Sequence, residues 1–354
     1  MNRIKEVKRF LLTILILFCT IILFGCEKEK TDEEKKIIRE IEKQTKIYTK
    51  YVYTSRGGKY YTEVYTDTVE HREQEIKEEL ERERKMQEQK PVYTQTEYTG
   101  SSYFDQDLLR DDDLVLVSSF IPNINIDLKY ATSNNFTNQV IYNFKEAYLR
   151  FGTVKKLNRV QTNLFAKNYK ISIWDAYRPV EAQYKLWRVK PDNDYVADPN
   201  KGYSNHTRGN AVDITLLRLD NSKVSMPSGF DDFTLKGDRN YNDVTEIEKE
   251  NATLLEQYMK EAGFSPYSKE WWHFNDDNNY DPIDFKPPQN AYIYPKCNNY
   301  ITLRQKRSTS SKEVLRIPKG SKMKLLAYNR DMCYVEYNNN YGFVNSNYIQ
   351  FTNK

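Results

Sequence analysis

Ser204-Asn205-His206-Thr207-Arg208-Gly209-Asn210-Ala211-Val212-Asp213-Ile214-Thr215-Leu216 is the stretch whose reading decides the fold. A histidine sits in a polar run containing Gly209, and further on an aspartate sits inside a run of β-formers. The chain has only three histidines, His71, His206 and His273. The last lies in Lys269-Glu270-Trp271-Trp272-His273-Phe274, shortly after a glutamate. His206, Asp213 and His273 offer two imidazoles and one carboxylate, a donor set suited to a catalytic zinc that keeps one position open. Glu270 stands beside such a site without having to ligate, where a carboxylate takes the proton of an attacking water. Spacing alone leaves a plainer reading open: a lone histidine is usually hydrogen-bonded or at the surface, and an aspartate in a strand is often an edge feature.

Working outward, the pattern Ser204-x-His206-x-x-Gly209-x-Ala211-x-Asp213, with Glu270-Trp271-Trp272-His273, resembles the zinc D,D-peptidases. More narrowly, it resembles the VanX-type D-alanyl-D-alanine dipeptidases. Asp127-Leu128-Lys129-Tyr130-Ala131-Thr132, Asn135-Phe136-Thr137 and Trp174-Asp175-Ala176-Tyr177-Arg178-Pro179 fall in the order of that family. The resemblance covers residues 114 to 286. It implies a zinc D,D-peptidase-like, Hedgehog-type catalytic domain with one zinc per chain on His206, Asp213 and His273, and Glu270 as base. It further implies that Arg178 binds or polarises the scissile carbonyl and that Asp175 orients it. Tyr130 and Asp231 match positions that engage the free amine of the substrate, and Ser204 a position near it. Asp231 has Asp232 as its immediate neighbour. Two positions depart from the family: Asn138 and Ala176 stand where glycine is common.

The substrate implied is D-Ala-D-Ala or a related peptidoglycan-derived peptide. A D,D-carboxypeptidase acting on longer stem peptides is the alternative within the enzyme class. A wall-binding lipoprotein with an idle peptidase fold is the alternative outside it. Substrate length, oligomeric state and physiological purpose stay open at this stage.

Residues 1–26 read as a signal segment. Arg3, Lys5, Lys8 and Arg9 precede an almost wholly apolar run from Phe10 to Phe24, which ends at Gly25-Cys26. That layout is secretory, and the run is short for a membrane-spanning helix, which needs about 20 residues. A small residue before Cys26 resembles a bacterial lipobox. The expectation is lipid on Cys26, anchorage to a bacterial membrane and an extracytoplasmic catalytic domain. Residues 27–112 read as a charged stalk. Within it, alternating segments flank Arg56-Gly57-Gly58-Lys59, a hairpin signal. With 54 basic and 50 acidic residues, charge does not point to nucleic acid.

The catalytic domain is expected over 113–290. Its strands and helices segregate rather than alternate strictly, so the fold class is α+β. Helical patterns are expected over Phe144 to Asn168, Val180 to Trp187 and Thr245 to Ala262, the last closed by Gly263. Glu270 and His273 must both reach the metal, although residues three apart in a strand face opposite ways. An irregularity or bulge is therefore expected near Glu270. Residues 291–354 carry short strands between turns, including Ser308 to Val314, and resemble a bacterial SH3 domain, a small all-β barrel. The cell wall would be its partner. Cys297 and Cys333 remain after the signal segment, with no evident pairing.

Overall fold

The computed structural model describes residues 108–352, together with the backbone of 53–56 and 59–62. The signal segment with Cys26, His71 and most of the 27–112 segment lie outside the described residues. β1 (Tyr53–Arg56) and β2 (Lys59–Thr62) pair antiparallel, with Arg56 opposite Lys59, in agreement with the hairpin signal read from the sequence. The hairpin belongs to one compact unit, Met1–Val92, and everything below belongs to another, Tyr93–Lys354. No helix among the described residues is long and apolar enough to cross a membrane.

The second unit runs β3 (Leu114–Leu116), β4 (Asn125–Ile126), β5 (Tyr148–Arg150), α1 (Phe151–Phe165), β6 (Tyr169–Asp175), α2 (Val180–Val189), α3 (Asn205–Arg208), β7 (Ala211–Arg218), α4 (Glu246–Glu261), β8 (Phe264–Tyr267) and β9 (Glu270–Asp276). A five-stranded sheet has the order β4-β6-β7-β9-β8, antiparallel except for the β4–β6 pair. α1 and α4 pack on each other and against this sheet. In β7, Val212, Ile214 and Leu216 enter the core. Strand periodicity then turns Asp213 and Thr215 to the opposite face.

α1 buries Val154, Leu157, Val160 and Leu164, the spacing of one helical face. It starts at Phe151 and not at Phe144. Residues 148–150 instead form β5, in register with β3 from Leu114↔Arg150 to Leu116↔Tyr148, and this long-range pairing overrides the local helical pattern. α4 opens on a capping box, with Thr245 and Glu248 each accepting from the other's backbone N–H. It closes before Gly263, whose φ of 88° suits a residue without Cβ.

Toward the C-terminus follow β10 (Tyr292–Pro295), β11 (Tyr300–Arg304), β12 (Glu313–Pro318), β13 (Met323–Tyr328), β14 (Met332–Tyr337), β15 (Asn340–Asn345) and β16 (Ile349–Gln350). They lie in the order β12-β11-β15-β14-β13-β10-β16. Residues 308–312 are a turn and not strand: Lys306 N–H donates to Ser311 Oγ and Ser310 N–H to Ser308 Oγ. Such side-chain bonds compete with sheet pairing. Pro318 is tolerated because β12 is an edge strand. Cys297 and Cys333 are both free.

This C-terminal sheet continues into the peptidase region. β13 also pairs with β3, placing Ala327 opposite Val115, and β3 pairs with β5. One buried cluster joins Leu114, Leu116, Tyr148 and Tyr177 to Ile293, Leu303, Met323, Leu325 and Val335. Asp113, fully buried, is paired with Arg307 and accepts from Asn329 Nδ2 at 2.8 Å.

Candidate active site

His206 sits in the single turn of α3. Ser204 caps that turn, its Oγ accepting from Thr207 N–H, and Gly209 ends it with φ 79°. A Cβ at Gly209 would lie 2.6 Å from Leu114 Cδ2, so close packing and backbone conformation both call for glycine. Arg150 reinforces the turn: its N–H donates to Gly209 O at 2.8 Å and its Nε to Arg208 O at 2.7 Å.

Asp213 and His273 face each other across β7 and β9. His273 Nδ1 lies 2.9 Å from Asp213 Oδ1 and 3.2 Å from His206 Nε2, and His206 Nε2 lies 3.4 Å from Asp213 Oδ2. One donor atom from each of the three residues falls within 4.8 Å of the others. His206 Nδ1 is 2.8 Å from Ala176 O. A carbonyl can only accept, so Nδ1 carries a proton, and Nε2 is the ring atom turned toward Asp213 and His273. Burial alone would raise the Asp213 carboxyl, but the His206 and His273 rings hold it well below the usual carboxylate range. Two ring nitrogens and an ionised carboxylate thus converge on one point, and this donor set fits a zinc ion.

Glu270 is buried and its Oε2 lies 3.9 Å from His273 Nδ1. Burial, with the charges of Asp213 and Asp231, raises its carboxyl well above the ordinary value. The expected irregularity is present: Pro266 faces Phe274, whereas Tyr267 faces Glu270.

β6 ends at Asp175, and Arg178 lies in the short link beyond it, next to Pro179, the N-cap residue of α2. Arg178 Nε and Nη2 both donate to Asp175 Oδ2, at 3.0 and 2.6 Å, and its Nη1 donates to Gln183 Oε1 at 2.9 Å. The guanidinium lies 5.3 Å from the Tyr130 ring centroid, and Nη2 is 4.0 Å from Asp213 Oδ2. Asp175 is fully buried and also accepts from Tyr142 Oη at 2.7 Å. Tyr130 Oη donates to Asp231 Oδ1 at 3.2 Å, and Asp231 Oδ2 accepts from Phe136 N–H at 3.3 Å. Burial pushes the Asp231 carboxyl up to about 8. Its neighbour Asp232 instead caps the N–H of Thr234 at an exposed site.

A cleft of about 330 Å³ brings together Tyr130, Arg178, Ser204, His206, Asp213, Asp231, Glu270 and His273. Of the residues singled out from the sequence, Asp175 stands behind the wall, reaching the cleft through Arg178. Ser204 lines the cleft while serving as the cap of α3 and donating to Gln183 Oε1 at 3.3 Å. Sequence reading missed Tyr142, Gln183 and Asn275. The last had a usable signal: two residues beyond His273 in a strand, it shares its face. Asn138 has φ 55°, a left-handed position that asparagine accepts, which accounts for the missing glycine there.

Fold and cleft define a peptidase. The profile of the family described as D-ala-D-ala dipeptidase (Peptidase_M15) matches residues 110–287, and the chain belongs to that family. The D-alanyl-D-alanine dipeptidase of Escherichia coli (strain K12) is 35% identical over 162 residues, 46% of this chain and 83% of that protein. That of Enterococcus faecium is 32% identical over 168 residues, 42% of this chain and 83% of that protein. Among solved structures, a vancomycin resistance D,D-pentapeptidase in complex with Zn(II) is similar over 37% of this chain and 74% of that chain, with 17% identity and a TM-score of 0.25.

Proposed function

We propose that this chain hydrolyses D-Ala-D-Ala, or a closely similar wall-derived dipeptide, with one zinc ion held by His206, Asp213 and His273. The observation that carries the reading is the cleft itself, where the ligand trio, Glu270, Arg178 and the Tyr130–Asp231 pair meet. The relatives named D-alanyl-D-alanine dipeptidase support the substrate.

Zinc, when bound, supplies a Lewis acid for the scissile carbonyl and lowers the pKa of the attacking water. Glu270 takes the proton from that water. Its Oε2, 3.9 Å from His273 Nδ1, stands beside the ligand trio, within reach of a water held there. Arg178, fixed by Asp175 and Gln183, offers its charge to the oxyanion that develops during attack and needs no reorganisation to do so. Asp231 and Tyr130 receive the substrate's ammonium. A half-buried carboxyl held at about 8 has no cation beside it strong enough to keep it ionised, and the ammonium would supply one.

The cleft volume, at the lower end of small-molecule sites, also favours a short substrate. A D,D-carboxypeptidase would need room for the preceding stem residues where Asp231 now stands. We further propose that the protein is an exported lipoprotein anchored through Cys26, on the layout of residues 1–26, and that the C-terminal strands form an SH3-like module directed at the cell wall. The antiparallel order of β10 to β16 supports the second point.

The test is kcat/KM for D-Ala-D-Ala, N-acetyl-D-Ala-D-Ala and a stem pentapeptide, with zinc content measured on the same protein. The free dipeptide is expected to be the best substrate by roughly one to two orders of magnitude, the worth of a charge-assisted bond of about 1.5–3 kcal/mol. Equal or faster cleavage of the acetylated or longer peptide would favour the carboxypeptidase instead.

A further inference from the structure

The two imidazoles of the trio are oriented by different devices. His206 is fixed by a backbone carbonyl, Ala176 O, which no side-chain change can remove. His273 is fixed by a side chain. Its Nδ1 faces Asp213 and His206, and its Nε2 lies 3.0 Å from Asn275 Oδ1. Asn205 Nδ2 donates to the same Oδ1 at 2.8 Å.

We propose that Asn275 sets the tautomer of His273, with Asn205 holding the Asn275 amide in the orientation this requires. The inference rests on the metal reading above. For Nδ1 to offer a lone pair to a cation, Nε2 must carry the proton, and a proton there needs an acceptor. The Asn275 amide oxygen is that acceptor. An amide presents oxygen on one side and NH2 on the other, so a turned-over Asn275 would point a donor at Nε2. The ring proton would then move to Nδ1, and the ligand atom would be blocked. The Asn205 amide opposes that turn, because its NH2 group also requires oxygen at the same place. Asn205 immediately precedes His206, and Asn275 faces the site two residues after His273. The amide pair therefore ties together the two segments that carry the imidazoles. Asn275 is a positioning residue, acting through His273.

The Asn205–Asn275 bond is exposed and the Asn275–His273 bond is half-buried. Water can replace part of the first bond more readily than the second, so the two residues should rank in that order.

The experiment uses the purified full chain and three variants, Asn275→Leu, Asn275→Asp and Asn205→Ala. Zinc affinity is measured by competition with a chelator, and the ring nitrogens of His273 are observed by 15N NMR in the zinc-loaded protein. With three histidines in the chain, assignment is direct. Asn275→Leu should weaken zinc binding about 10- to 100-fold, the usual effect of losing such a partner. Asn275→Asp should restore most of the affinity, since a carboxylate accepts from Nε2–H in either orientation. Asn205→Ala should fall between the parent and Asn275→Leu. In the parent, NMR should show zinc on Nδ1 and the proton on Nε2. Unchanged affinity in a folded Asn275→Leu variant would overturn the inference while leaving the metal reading intact. So would an Asn275→Asp variant no tighter than Asn275→Leu, or zinc on Nε2 of the parent. A parent chain that takes up no zinc would refute the metal reading, and the inference with it.

Discussion

Glu270 and His273 lie three residues apart on one strand, yet both line the same cleft, with Glu270 Oε2 3.9 Å from His273 Nδ1. A regular strand would send them to opposite faces. The β8–β9 register slips between Pro266 and Tyr267, so that β9 carries extra residues opposite β8. Bulges of this kind re-aim side chains next to active sites. On the proposed reading, the slip lets one short segment supply both a metal ligand and a proton acceptor.

Replacing Glu270 by glutamine keeps the shape and removes the proposed base. The variant should retain zinc and lose roughly two to four orders of magnitude in kcat, the usual worth of general acid–base catalysis. Metal analysis and turnover measured on the same preparation decide the matter. Near-parental turnover would remove Glu270 from the base role.

Arg178→Lys keeps a charge and loses the planar fork that meets Asp175 and Gln183 together. A fall in kcat of about two to three orders of magnitude is expected if Arg178 stabilises the oxyanion. Unfolding in urea should also show a loss of about 1–3 kcal/mol, since the buried Asp175 Oδ2 gives up its donors. Unchanged kcat would leave Arg178 with a structural role only.

Much of the site was legible because its chemistry lies in short segments. His206 and Asp213 share one stretch, Glu270 and His273 another, and the tension between strand periodicity and a shared target foretold the slip in β9. The α4 boundaries were legible too, since Thr245, Glu248 and Gly263 carry local signals. What escaped is non-local. The helical pattern before Phe151 gave no hint that residues 148–150 pair with β3. Gln183 reaches the Arg178–Asp175 pair from α2 and Tyr142 reaches it from the loop before β5, and only tertiary structure shows that they do. The pairing of β13 with β3 joins residues more than two hundred positions apart, beyond any window of periodicity.

Asp231 makes a prediction about pH. Its carboxyl is pushed up to about 8 in the folded chain, from an ordinary value near 4. Between those values the folded form holds a proton that the unfolded form has lost. The contribution of this group to stability is therefore greatest below about pH 4 and falls as pH rises toward 8. Asp231→Asn mimics the protonated group and lacks the loss. The melting temperature of this variant relative to the parent should rise steadily from pH 5 to pH 8. Thermal unfolding of both proteins across that range is the measurement, and a constant gap would show that Asp231 titrates normally.

The C-terminal strands make the last prediction. A chain ending at Asn290 loses β10 to β16, and with them Ile293, Leu303, Met323, Leu325 and Val335 from the cluster that buries Leu114, Leu116, Tyr148 and Tyr177. It also loses the β13 partner of β3 and leaves the buried Asp113 without Arg307 and Asn329. Each large apolar side chain withdrawn is worth about 1.5–3 kcal/mol. Several together match the whole stability of a typical domain, about 5–15 kcal/mol. The damage reaches the site, because Leu114 packs directly under Gly209 at the end of the His206 turn, and Tyr177 precedes Arg178. The truncated chain should therefore lose cooperative unfolding, bind zinc weakly and fail to hydrolyse even a small soluble dipeptide. Calorimetry, chelator competition and a dipeptide assay read the three effects. A truncated protein with the parent's melting temperature and kcat would show that the peptidase region folds and works without these strands.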